Sequence, residues 1–359
     1  MSPPAFRTVL PISASPPALA HHEPLLFLGS CFSDEVGSRL RDRGHRVCIN
    51  PLGTIFNPAS LSATVQAVAS GKTLSPEDVR YCERTGLFYS FEAGSTHAHE
   101  KRDVCTSSIN DALNAGRHAL QESAALFLTL GSAWAYVHRE GPDAAGGIVV
   151  NNHRQPHAEF ERKLLSVEEA TQHLAAAVDA ARQASPSLRK IVLTVSPVRH
   201  TREGLVESSR SKAHLLAACH AVCEQQQQQQ RQQQRSATRV GYFPAYELLL
   251  DELRDYRWFA EDMLHPSHAA AEYVTTRVLE SHFDAADDGT RAAVGALRAA
   301  ARHRHTRPGS AAARAFAEAQ RAKCAQLEAD HPHLAASGAL RAEAAHFERM
   351  ARGKGGSEP

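Results

Sequence analysis

No stretch of about 18 apolar residues occurs anywhere in the 359-residue chain, so no membrane span is expected. The N-terminal run MSPPAFRTVLPISASPPALA has no basic segment followed by a long apolar one, and its prolines interrupt any helix, so no secretory leader is expected. There is no CxxC pair. The seven cysteines (Cys31, Cys48, Cys82, Cys105, Cys219, Cys223 and Cys324) are odd in number and irregularly spaced. That argues against a secreted disulfide framework and for reduced thiols in the cytoplasm. Neither sign of charge is in excess: 40 Lys and Arg stand against 39 Asp and Glu, which gives no global attraction to nucleic acid or to an anionic membrane. Histidine is abundant, at 21, but scattered. The HxH pairs His97/His99 and His303/His305 have no Cys or carboxylate at a zinc-like spacing, so no metal site and no cofactor are expected.

What the chain does have is an alternation of short apolar runs with helical patterns. Residues 1–23 form a Pro-rich lead-in. Leu25-Leu26-Phe27-Leu28 then reads as a buried strand stopped by Gly29, with a helix following through Val36 and Leu40. Val47-Cys48-Ile49 is a second strand, and helices are expected over 58–70 and 107–122. Ala125–Leu130 and Lys190–Val195 are further buried strands, each ending in a polar or glycine turn. Helices are expected over 166–184 and 209–224, a strand near Val240, and a helix over 268–283. This alternation predicts an α/β fold with helices on both faces of the sheet. The boundaries expected are an α/β domain over 24–285 and a helical extension over 286–359. The run QQQQQQRQQQR at 225–235 is low complexity and reads either as an extension of the preceding helix or, the favoured reading, as a tolerated surface-loop insertion.

In an open α/β sheet, sites lie beyond the carboxyl ends of the strands. Three turns here follow apolar runs: Gly29-Ser30-Cys31, Gly131-Ser132, and Ser196-Pro197-Val198-Arg199-His200. Asp262-Met263-Leu264-His265 adds a DxxH, whose spacing lets a carboxylate orient an imidazole, and an oriented neutral histidine is what a hydroxyl or thiol nucleophile needs.

Several blocks resemble one family in the same order along nearly the whole chain. Phe27-Leu28-Gly29-Ser30-Cys31-Phe32-Ser33 is similar to the motif that names the GSCFA family, with Ser33 where Ala is usual. Asn50-Pro51-Leu52-Gly53-Thr54, Thr129-Leu130-Gly131-Ser132-Ala133-Trp134 and Asn151-Asn152-His153 follow, with Asn152 where that family has Cys. Ser196–His200, Ser211-Lys212, Tyr242–Glu247, Leu253–Arg257 and Glu261–Pro266 complete the series. The GSCFA family in turn resembles the SGNH/GDSL hydrolases. That resemblance implies a three-layer, flavodoxin-like, mostly parallel sheet and hydrolysis or transfer of an acyl group, with a small-molecule or glycan-borne ester as substrate. It implies His265 as general base and Asp262 as its orienting carboxylate. Gly53 then becomes a backbone oxyanion donor, and Asn57 or Asn50 a side-chain donor.

The nucleophile stays open between two neighbours. A gapless overlay of GDS on Gly29-Ser30-Cys31 selects Cys31, and residue type selects Ser30. Cys31 is slightly favoured, because a helix N-terminus stabilises a thiolate. Arg199 and His200 are candidates for meeting an anionic substrate group, and His153 for facing the site. Arg199, Arg254, Asp255 and Arg257 are equally readable as a buried ion-pair network. Gly131-Ser132-Ala133 lacks the Asn that the hydrolases place two residues after the glycine, which favours the rival reading, a non-catalytic binding or scaffold module. A third reading, a metal-assisted hydrolase, rests on His97, His99 or His153. A His265 more than about 5 Å from both Ser30 and Cys31 would leave the hydrolase without its base.

Overall fold

The computed structural model describes residues 7–139, 147–233 and 238–352. Residues 1–6 of the lead-in and 234–235 of the glutamine run lie outside the described residues. The first half of the chain contains β1 (Leu25–Gly29), α1 (Cys31–Asp42), β2 (Val47–Ile49) and α2 (Pro58–Ser70). β3 (Arg80–Cys82), β4 (Leu87–Tyr89) and α3 (Arg102–Glu122) follow, then β5 (Ala125–Leu130), β6 (Trp134–His138), β7 (Ile148–Val149), β8 (Phe160–Leu164) and α4 (Val167–Ala184). Next come β9 (Lys190–Val195), α5 (Leu205–Gln233), β10 (Arg239–Phe243) and the short α6 (Ala245–Glu247), which runs into a π-helical turn at Leu248–Leu253. The chain closes with α7 (His268–His282), α8 (Asp288–Arg302), α9 (Ala311–Asp330), α10 (Pro332–Ser337) and α11 (Arg341–Ala351).

The central sheet has five strands in the order β10-β9-β5-β1-β2, and every pairing in it is parallel. Its inner strands are mostly apolar, with Thr129, Lys190 and Thr194 as the exceptions, because both faces are covered. Side-chain alternation divides them between two layers. Leu26, Leu28, Leu126, Leu128, Ile191 and Leu193 pack with residues of α2, α3, α4 and α5. Leu25, Phe27, Phe127 and Val192 pack on the opposite face with residues of α1 and α7. Phe27 and Phe127 stack across β1 and β5 with ring centroids 4.3 Å apart. The helices α8, α9, α10 and α11 close over a separate apolar cluster that includes Val294, Leu297, Cys324, Leu334 and Phe347. No helix among the described residues is long and apolar enough to cross a membrane.

Strand order reverses beside β1: the chain moves from β1 outward to β2, then returns to place β5 on the other side of β1. A crevice therefore opens at the carboxyl ends of β1 and β5. The β1–α1 turn depends on Gly29. Its φ is +141°, and a Cβ there would lie 2.1 Å from the Thr129 carbonyl oxygen. Only glycine allows β1 and β5 to run so close where the helix begins.

Two features differ from the sequence expectation. The 134–164 region forms a three-stranded antiparallel sheet, β7-β6-β8, beside the main one. The glutamine run continues α5 as far as Gln233 instead of forming a loop. Glutamine is a good helix former, and Gln226 falls on the same buried stripe as Lys212, Leu215, Cys219 and Val222. There its side-chain oxygen accepts from Arg182.

Candidate active site

Cys31 is the first residue of α1, and its side chain is partly exposed in the crevice. Its Sγ lies 3.8 Å from His265 Nε2. The other ring nitrogen, Nδ1, is 2.6 Å from Asp262 Oδ2. Asp262 Oδ1 accepts the backbone N–H groups of Leu264 (2.9 Å) and His265 (3.0 Å), so one carboxylate both closes the loop and aims the ring. The loop is held from outside as well. Arg199 donates its N–H to the Leu264 carbonyl, and Ala260 donates to that of His265. Met263 takes the left-handed conformation (φ +58°) that lets the four residues turn back on themselves. The two backbone donors and the His265 side chain hold the Asp262 carboxyl down to about 2.

Ser30 occupies the N-cap position but does no capping. It is fully buried, and its Oγ has no hydrogen-bond partner among the described residues. Of the two neighbours, the structure brings only Cys31 to His265. The electrostatics at Cys31 differ from the helix-terminus argument. Burial first, then the Asp34 carboxylate, raise the thiol above its ordinary value. Lys212 and the Cys31 and Phe32 backbone N–H groups oppose this without winning. The resting group is therefore a thiol that must hand its proton to a base as it reacts.

Gly53, Asn50 and Asn57 do not aim at the thiol. The Gly53 N–H donates to the Asn50 carbonyl at 2.8 Å. Asn50, itself left-handed, accepts from Gly29 N–H (2.8 Å) and donates to Asp34 (3.0 Å), bracing the β1–α1 turn. Asn57 caps α2, accepting from Ser60 N–H and donating to Ser60 Oγ. The donors nearest the thiol are the N–H groups of Cys31 and Phe32, which precede the helical ladder of α1 and have no intrahelical acceptor. His153 is turned to the Ser90 and Ala93 carbonyls at 2.8 and 3.0 Å and does not join the dyad.

His200 does reach the crevice. A Cβ on Gly131 would sit 3.1 Å from Ser30 Cβ and 3.2 Å from His200 Nε2, so Gly131 is the spacer between them. That Nε2 is buried without a partner among the described residues. Burial, followed by the charges of Lys212 and His265, pulls the imidazole down to about 4, and it is neutral at pH 7. Arg199 stacks over Phe259 (4.1 Å) and Tyr256 (5.0 Å). The expected buried ion-pair network around it is not formed. Asp255 and Arg257 pair with each other at the surface, where exposure removes the penalty that would make such a network cooperative, and Arg254 is exposed.

Lys212 received no role from the sequence. Its ammonium is buried and donates to the carbonyls of Gly131 and Ser196, both at 2.6 Å, tying together the turns that follow β5 and β9. Burial lowers it to about 7, with Cys31 opposing the shift. The signal was present: Lys212, Leu215, Cys219 and Val222 recur at helical spacing, which puts a lysine on an apolar face. His97 is held by Ser108 and the Pro51 carbonyl. No group of three or more metal-ligating side chains is placed to hold an ion among the described residues.

A sequence model described as the GSCFA family matches residues 24–277. The chain belongs to the GSCFA family. No match was found among curated proteins or among solved structures. In this GSCFA chain the naming motif is the β1–α1 turn itself: Gly29 permits the turn, Ser30 packs beneath it, and Cys31 faces the crevice.

Proposed function

We propose that the crevice is a thiol-dependent acyl-transfer centre, acting as a hydrolase on an ester, with an arrangement resembling that of the SGNH enzymes. The observation that carries this reading is the 3.8 Å approach of Cys31 Sγ to a His265 ring whose far nitrogen is held by Asp262. The Cys31 proton passes to His265 Nε2 as the sulfur bonds to the acyl carbon. The carbonyl electron pair moves to oxygen, towards the N–H groups of Cys31 and Phe32. The carbon–oxygen bond then breaks, and the leaving alcohol takes the proton from His265. A water then attacks the thioester carbon and gives its proton to His265; the carbon–sulfur bond breaks, the acid leaves, and the sulfur takes the proton back from His265 to restore the thiol. Asp262 stabilises the imidazolium that forms between these steps.

The second reading is a binding module without turnover, and the raised Cys31 thiol favours it. Alkylation of the intact chain by iodoacetamide, with peptide mapping, decides between the two. Mapping is needed because Thr85 and Gln155 draw the Cys82 thiol down to about 7, although Cys82 is only 5% exposed. Cys31 should label first. His265→Ala should slow it by about 10²-fold or more, and Ser30→Ala should not. A Cys31 rate unaffected by His265→Ala in a folded variant would point to the binding module.

A further inference from the structure

A cavity of about 220 Å³ opens beside the turn that follows β9, lined in part by Arg199, Ser208, Lys212, Tyr246 and Tyr256. Binding cavities for whole drug-sized ligands begin at about 300 Å³, so this one suits a head group. Arg199 is its dominant charge. The guanidinium lies over two aromatic rings, Phe259 and Tyr256. None of the guanidinium N–H groups has an acceptor among the described residues; only the backbone N–H of Arg199 is bonded. A stacked guanidinium with a free edge is a fork matched to an oxyanion.

The surroundings supply hydrogen-bond donors. Ser208 Oγ accepts the His200 N–H at 3.3 Å, which leaves its own O–H to donate into the cavity. Burial raises the Tyr246 phenol, so it too stays a donor. The neighbouring Glu247 carboxylate is engaged by Tyr242 (3.0 and 2.8 Å), and Asp251 is a second carboxylate acting on Tyr246, so the attraction for an anion comes from Arg199. The cavity is joined to the chemistry twice. The Arg199 backbone N–H holds the Leu264 carbonyl, one residue before His265. Lys212, on the cavity wall, acts electrostatically on both Cys31 and His200.

We propose that this cavity binds the anionic end, a carboxylate, phosphate or sulfate, of the molecule whose acyl carbon is presented to Cys31. The link to Cys31 rests on the hydrolase reading; the anion site itself does not.

Two measurements test it. The first is calorimetric titration of the full chain, and of its Cys31→Ala variant, with succinate and separately with inorganic phosphate. At least one anion should bind both proteins with a Kd of about 1 mM or tighter, and should protect Arg199 from modification by phenylglyoxal. Arg199→Gln should weaken binding by about tenfold or more, and Arg199→Lys, which keeps the charge but not the fork, by less. A preference for succinate or for phosphate identifies a planar or a tetrahedral group, and either supports the site. Absence of binding by both anions, or binding that leaves Arg199 open to phenylglyoxal, overturns it without needing any variant to fold. The second is the ratio of Cys31 labelling by maleimidopropionic acid to that by N-ethylmaleimide. The ratio should exceed one and fall by about tenfold in Arg199→Gln. A ratio of one, with anion binding intact, removes the link to Cys31. Should His265→Ala leave Cys31 labelling unchanged while Arg199 still binds an anion, the hydrolase reading falls and the anion site stands.

Discussion

Cys31 sits between two charges of opposite sign, and their balance sets its reactivity. Asp34 raises the thiol and Lys212 lowers it, with burial the larger effect. Asp34→Asn should shift the pH profile of Cys31 alkylation downward, and Lys212→Met should shift it upward. Measured rates between pH 7 and 10 check both signs, and two shifts in the same direction would contradict this account. The DxxH spacing made the Asp262–His265 pair legible in the sequence, because three residues of separation within a tight loop can be closed by one carboxylate. The choice between Ser30 and Cys31 was not legible. It depends on which way two adjacent side chains turn at the first residue of a helix, and nothing in their spacing records that. The oxyanion role inherited by Gly53, Asn50 and Asn57 had a different weakness. Each is a turn residue whose polar groups the local backbone claims first.

Among the elements, β1 carries most of the design. It joins the two core layers, stacks Phe27 on Phe127, and ends at the one glycine that admits the Thr129 carbonyl. Phe27→Ala should cost about 3–5 kcal/mol in chemical denaturation. Gly29→Ala should leave little folded protein, since a Cβ would meet backbone rather than a movable side chain; a soluble variant with unchanged melting temperature would refute the close approach. The inner parallel strands were readable because burial on both faces leaves mostly apolar runs. The antiparallel β7-β6-β8 sheet was not. Its strands mix Trp134, Tyr136 and His138 with charged residues such as Glu161 and Lys163, and its pairings form only after the chain folds back. The glutamine run misled for a related reason. Low complexity suggests a loop, but a tract with good helix propensity continues whatever helix precedes it when one of its residues lands on the buried stripe.

For the whole molecule, several imidazoles are locked in their neutral form. Burial holds His200 down to about 4 and His282 to about 3, and pushes His45 well below its usual range. The unfolded chain binds these protons near pH 6.5. The stability they contribute is therefore complete above about pH 6.5 and is lost as the pH falls towards 4 and 3. Melting temperature should be flat from pH 7 to 6.5 and fall by several degrees by pH 4.5. His282→Phe, whose ring would meet Phe127 and Phe243, should blunt that fall. An acid profile identical to that of the parent would show that His282 is not among the groups responsible.

The length of α5 has a consequence for how this chain can vary. Lys212 sits near its first turns, against the crevice, and the glutamines sit at its other end. At 1.5 Å per residue they begin about 20 Å further along the axis. Gln226 is bonded to Arg182 and Gln230 donates to the Thr238 carbonyl at 2.9 Å, so a glutamine gained or lost beyond Gln230 falls at the end of α5 remote from the crevice. The tract can thus act as a length polymorphism that the reaction centre does not register, and isoforms differing only in glutamine number should label at Cys31 with the same rate.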